Sequence, residues 1–214
     1  MSRKMENNLF ILHKHSLKYI AYSFLAFFLL LILDLELLAI AAFGFMLLSA
    51  YVFRNPEKSL VSYEKGALLS PVDGRVVKIE EIEDESYAYK IEVESGYFDL
   101  SILRVPLNAT VEEVELFHGT RVSKKSKLFK ELNEYAKLEL LDKEGHKVKI
   151  IHRLERSFAP LYIDIFQGQE LHKAARYGVM LNGTTTIYLP KAFKLNVNVG
   201  NQLSATETLL GYFI

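Results

Sequence analysis

Two apolar runs separated by only three residues constrain this chain more than any other feature. Tyr19 to Leu33 reads YIAYSFLAFFLLLIL and Leu37 to Phe53 reads LLAIAAFGFMLLSAYVF, with Asp34-Leu35-Glu36 between them. At about 1.5 Å per residue, runs of about 15 and 17 residues reach roughly 23 and 26 Å, just enough for a thin hydrocarbon core. One long helix would carry Asp34 and Glu36 at the bilayer centre, at roughly 3 kcal/mol each, so the sequence predicts a transmembrane hairpin of two helices over 19–53 that turns at 34–36. Arg3, Lys4, Lys14 and Lys18 precede it, Arg54 and Lys58 follow it, and the turn is acidic. The positive-inside rule then puts both ends, and all that follows, on the cytoplasmic side of the cell membrane. A re-entrant pair dipping into one leaflet would expose the same side. A cleaved secretory signal fits poorly, because the polar lead is long, the apolar stretch too extended and no small-x-small site follows.

A polar segment, 1–18, leads into this region, and 54–66 (RNPEKSLVSYEKG) reads as a linker before a domain at 67–214. In that domain β-branched and aromatic residues alternate with polar ones over 75–82, 87–93, 100–105, 137–141, 147–152, 161–166, 184–189 and 194–199, punctuated by glycines. Helical periodicity is confined to 127–136. The expected fold class is therefore β-dominated. Val111–Leu128 and Phe193–Leu209 echo one another as strand, Gly, polar-apolar pair and small-polar turn, a half-motif familiar from barrel-sandwich domains. Neither offers the tip lysine that a biotinyl or lipoyl carrier needs. The absence of cysteine excludes disulfides, thiolate metal sites and a Cys nucleophile. Lys plus Arg equals Asp plus Glu at 26 each, so no net field selects nucleic acid. The acids Glu80, Glu81, Glu83, Asp84 and Glu85 read as a solvated hairpin tip, and no metal is expected. The basic run Arg121, Lys124, Lys125, Lys127 suits either anionic headgroups or plain solvent.

Phe53-Arg54-Asn55-Pro56-Glu57 follows the apolar anchor, and Ser70-Pro71-Val72-Asp73-Gly74-Arg75-Val76 comes next. Later come, in order, Arg176-Tyr177-Gly178-Val179-Met180, Gly183-Thr184-Thr185, Tyr188-Leu189-Pro190 and the segment Val197 to Leu209. This ordered set resembles the phosphatidylserine decarboxylases, especially their short type, whose series runs Arg-Phe-Gly-Met, Gly-Ser and Tyr-Leu-Pro before a last hairpin similar to 197–209. The resemblance implies a barrel-sandwich-like domain behind a membrane anchor and a membrane lipid as partner, phosphatidylserine or another anionic phospholipid, with self-association left open.

In that family a Ser after Gly attacks the preceding carbonyl, and elimination across it leaves a pyruvoyl group that serves as electron sink for decarboxylation. Carried over by position, Asp73 stands at the acid that orients the processing base. Asn108 and Thr110, in Pro106-Leu107-Asn108-Ala109-Thr110, stand where the family has Asp and His, and Thr184 stands at the self-cleaving Ser after Gly183. A Thr hydroxyl does not exchange protons near neutral pH as imidazole does. Cleavage at Gly183–Thr184 would moreover leave a 2-oxobutanoyl cap on Thr184, the site of the keto group, in place of pyruvoyl. Ser157 and Ser204 do not follow a Gly, and His118, His152 and His172 lie away from the family's His. Three readings follow: a catalytically degenerate family member of phosphatidylethanolamine metabolism, an active pyruvoyl-type decarboxylase, or a non-enzymatic barrel-sandwich adaptor of a membrane complex.

Overall fold

A computed structural model describes residues 14–58 and 66–214, in two units, 1–57 and 58–214. Arg3 and Lys4, most of the polar lead and 59–65 of the linker lie outside the described residues. In the first unit a 3-10 turn, Lys14–Ser16, runs into α1 (Leu17–Ile32), and α2 (Glu36–Val52) follows after a turn in which Asp34 takes φ 55°. The helices fold back on one another: Tyr19 stacks on Phe53 at 5.4 Å and Phe27 meets Phe43 at 5.5 Å.

The expected transmembrane hairpin needs correction, because Lys14–Ile32, at 19 residues, is the one helix among the described residues long and apolar enough to cross a membrane. Glu36–Val52 is apolar but shorter, and at about 1.5 Å per residue it falls several ångströms short of the roughly 30 Å hydrocarbon core. Two apolar runs thus give one helix of spanning length with a shorter one folded against it.

The second unit is built from short antiparallel strands: β1 (Ala67–Leu69), β2 (Gly74–Glu81), β3 (Tyr89–Ser95), β4 (Ile102–Arg104), β5 (Ala109–Phe117), β6 (Tyr135–Leu141), β7 (Lys147–Leu154), β8 (Tyr162–Ile163), β9 (Glu170–Leu171), β10 (Arg176–Val179), β11 (Gly183–Leu189), β12 (Phe193–Leu195), β13 (Gln202–Leu203) and β14 (Leu209–Phe213). A one-turn helix, α3 (Phe129–Leu132), lies between β5 and β6. Eight strands form a sheet in the order β13-β2-β3-β11-β7-β6-β5-β9, and two three-stranded sheets, β1-β14-β12 and β4-β10-β8, complete the unit.

The expected barrel-sandwich fold is also corrected. The large sheet is open, ending in β13 and β9, and with its helices the chain is mixed α and β. β13 pairs only Gly74 and Arg75 of β2, and β9 only Ala109 and Thr110 of β5; beyond these the two long strands present their outer edges, each after a register shift, at Val76/Lys78 and Val111/Glu113, that bends the edge away from flat pairing. The apolar faces are covered by stacking instead: Ile91, Ile150 and Ile187 from the large sheet share one core with Leu103 and Tyr177 from one small sheet and Leu210 from the other. Alternation does the sorting, as in β7, where Val148, Ile150, His152 and Leu154 are buried and the residues between them are not.

Candidate functional site

The candidate junction opens β11, the strand paired with β3 on one side and β7 on the other. Gly183 faces Ser95 and Leu154, and an added Cβ there would lie 2.2 Å from the Arg153 carbonyl oxygen, so only glycine lets the two backbones approach this closely. The next two residues point to opposite faces. Thr184 shares an outward row with Arg75 and Glu94 on one side and with Arg153 and Tyr135 on the other. Thr185 points into the core, in a row with Val93 and His152.

On the inner face His152 Nδ1 lies 2.8 Å from Thr185 Oγ1 and its Nε2 lies 2.6 Å from the Tyr177 hydroxyl. All three side chains are buried. Burial penalises the imidazolium and pulls His152 from its ordinary 6.5 down to about 3, and the same burial pushes the Tyr177 phenol up. His152 is thus neutral, hydrogen-bonded to the hydroxyl beside the junction rather than to the junction hydroxyl itself.

On the outer face Glu94 is ion-paired with Lys124, and Arg153 donates to the Lys130 carbonyl at 2.6 Å while lying 4.9 Å from the Tyr135 ring. Burial holds Arg153 below the usual guanidinium range. The two residues flanking Thr184 are therefore an engaged carboxylate and an engaged cation.

Asp73 lies in the turn before β2. Its Oδ1 accepts from Lys58 Nζ at 2.6 Å and from the Ala205 amide at 2.7 Å, and Lys58 also donates to Ser204 Oγ at 2.7 Å. With Lys58 and Asp73 side chains only 8% and 17% exposed, this ion pair clamps the turn to the loop at 204–207. The Asp73 carbonyl accepts from Ser95 Oγ, and Ser95 faces Gly183. Asp73 is thus one strand away from the junction, paired with a lysine rather than orienting a histidine.

Asn108 and Thr110 are placed elsewhere. Asn108 Oδ1 accepts from the Lys173 amide at 2.8 Å, and Thr110 faces Leu141 on β6 and Glu170 on β9. Through β6 the Thr110 row meets β7 at Lys147, whereas the Thr184 row meets β7 at Arg153. Followed through the sheet, the two threonines are three strands and six residues apart, roughly 20 Å along the strand direction. Among the described residues no hydrogen bond joins Asn108 or Thr110 to Gly183 or Thr184.

The other candidates have local roles. His118 is exposed, with Nδ1 3.5 Å from Glu134, and His172 is exposed on the loop after β9. Ser157 donates to the Ala159 carbonyl and Ser204 to Glu207. Asp142, Glu144 and His146 bring potential metal ligands within 4.8 Å of one another at the β6–β7 turn. There Asp142 already accepts from the Glu144 and His146 amides and from the His146 ring, which suffices to explain it as turn chemistry. Sequence reasoning missed Glu94 and Arg153, and it had Tyr177 as a motif residue without its contact to His152. The signal for the His152 contact was its phase with Val148, Ile150 and Leu154.

Comparison with known proteins converges on one family. The phosphatidylserine decarboxylase family model matches residues 45–211, from within α2 to the last strand. A phosphatidylserine decarboxylase proenzyme of Nitrosomonas eutropha is 28% identical over 171 residues, covering 78% of this chain and 79% of that protein. The proenzymes of Burkholderia mallei and Desulfotalea psychrophila are 29% and 28% identical over 183 residues, covering 80% and 82% of this chain and 84% and 85% of theirs. With its ordered motifs matched over most of its length, the chain belongs to the phosphatidylserine decarboxylase family.

Proposed function

We propose that this is a membrane-associated member of that family, serving phospholipid metabolism, whose chain stays uncut at Gly183–Thr184. The observation that carries this reading is the surroundings of Thr184: its row neighbours are Glu94, tied to Lys124, and Arg153, tied to the Lys130 carbonyl. Neither is a free base for a hydroxyl whose own acidity is negligible at neutral pH, and the one buried imidazole nearby faces Thr185. The positions matching the family's Asp and His hold Asn108 and Thr110, away from the junction in the sheet register. Without the cut no keto group arises, so the route to phosphatidylethanolamine through a pyruvoyl-type electron sink is closed, and the family scaffold serves to bind an anionic phospholipid.

The β unit belongs on the cytoplasmic side in this reading. Lys14 lies before α1, Lys18 sits in its first turn, and Arg54 and Lys58 follow α2, and lysine and arginine beside a membrane segment favour its cytoplasmic side.

The competing reading is an active decarboxylase, favoured by the name proenzyme carried by the relatives. It requires cleavage at Gly183–Thr184 and a 2-oxobutanoyl cap on the fragment 184–214. Intact mass of protein purified from its own membrane separates the two: a single chain of 24.6 kDa is expected, and a pair of fragments with a blocked keto terminus on the smaller overturns the uncut reading.

A further inference from the structure

The connection between β5 and β6 carries Arg121, Lys124, Lys125, Lys127 and Lys130 against two acids, Glu131 and Glu134, the second buried and paired with Arg121. Among these cations it exposes apolar side chains that nothing in the core claims: Leu128 is 49% and Leu132 41% exposed, and Val122 is exposed with them. A merely solvated charge run has no use for exposed leucines spaced among lysines. That combination suits an interface where cations meet phosphates and short apolar chains enter the first layer of acyl carbon.

The connection is also held in place. Asn133, fully buried, accepts from the Val122 amide and donates to the Val122 and Leu154 carbonyls, at 2.7 to 3.1 Å. The Thr120 amide donates to the Leu132 carbonyl at 2.7 Å, closing the base of the loop. Glu155 accepts from Ser123 Oγ and from the Lys124 amide. The anchored loop then reaches both residues that flank Thr184: Lys124 pairs with Glu94, and Lys130 with Phe129 receives Arg153.

The geometry points to a docking surface: the 120–132 loop seats the β unit on a bilayer bearing anionic phospholipid, with Leu128 and Leu132 entering the interface and the lysines on headgroup phosphates, beside the Glu94–Thr184–Arg153 row. This deepens the phospholipid-binding reading given above and rests on it. The occupant is a lipid surface rather than a protein groove, because the exposed charge is predominantly positive, with Glu131 as the exposed acid, the apolar residues are few and dispersed, and the chain belongs to a phospholipid family.

The absence of cysteine makes the test direct, since one introduced thiol can be labelled alone. The full chain is reconstituted in vesicles of phosphatidylcholine with or without phosphatidylserine, carrying an environment-sensitive fluorophore at Leu128→Cys or, as control, at Lys143→Cys on the exposed β6–β7 turn. The Leu128 label is expected to shift to the blue and be quenched by brominated acyl chains only when phosphatidylserine is present. It should revert at about 1 M salt, where the screening length falls to about 3 Å. Lys125→Ala, Lys127→Ala and Lys130→Ala combined should bring quenching down to the neutral-vesicle level, each lysine contributing about a fivefold factor.

A silent Leu128 label, or equal signals at both label sites, overturns the proposal in favour of a solvated loop. Equal quenching in neutral vesicles overturns its electrostatic basis, and shielding that persists in detergent without lipid assigns the patch to a second copy of the chain. None of these outcomes depends on cleavage: a cut chain with a quenched label sinks the uncut reading alone, and an uncut chain with a silent label sinks this one alone.

Discussion

His152 sits between Thr185 and Tyr177 in the core, and a neutral imidazole can serve both hydroxyls at once, donating from one nitrogen and accepting at the other. The cation cannot be accommodated there without solvent, which is why its pKa falls to about 3 in the folded chain. Below the ordinary value of 6.5 the unfolded chain takes up a proton that the folded chain refuses. The stability owed to neutral His152 is therefore complete above about pH 6.5 and drains away toward pH 3, at up to about 1.4 kcal/mol per pH unit. Melting at pH 5 and pH 7.5 should show a larger drop for the parent chain than for His152→Gln, which keeps an amide donor and acceptor but does not titrate. Equal drops would remove His152 from the acid response. Thr185→Val, nearly isosteric, strands His152 Nδ1 in a dry core and should lower the unfolding free energy by about 1 to 3 kcal/mol in urea titrations.

At the scale of the strand, β11 depends on Gly183. A methyl group there would lie 2.2 Å from a backbone oxygen of β7, an atom that cannot swing aside as a side-chain end can. Gly183→Ala should part β11 from β7 and destabilise the β unit by about 2 to 4 kcal/mol, read from urea midpoints, whereas Gly145→Ala, with nothing within 4 Å but φ at +90°, reports the cost of backbone strain alone. The strands themselves were legible in the sequence wherever polar and apolar residues alternate, as in β2, β3, β6, β7 and β11. Less legible was 127–136, whose helical pattern yields only the single turn Phe129–Leu132 because Thr120 and Asn133 bridge and hold the loop ends. The run at 194–199 likewise stops at Leu195, where β12 ends. Asn108 and Thr110 were readable as departures from the family pattern. Their distance from Thr184 was not, because it depends on register passed across three strands, and no local pattern records that.

For the molecule as a whole, the sequence made two apolar runs look equivalent, and length rather than composition separates them. Lys14–Ile32 reaches membrane thickness and Glu36–Val52 does not, so the first should carry most of the insertion free energy. Leu25 and Leu47 are both exposed apolar residues, one in each helix, so a charge at either removes little internal packing. An arginine at the centre of a spanning helix costs about 2.5 to 3.5 kcal/mol on insertion scales, equivalent to roughly a hundredfold in the equilibrium, and a shorter helix lets the same side chain snorkel to the headgroups at less cost. Leu25→Arg should therefore move a large share of the protein out of the alkaline-carbonate-resistant membrane fraction, and Leu47→Arg should move much less. Equal losses would mean that both helices insert to the same depth and that 17 residues suffice in this membrane; no loss from either would mean that the β unit holds the chain to lipid unaided.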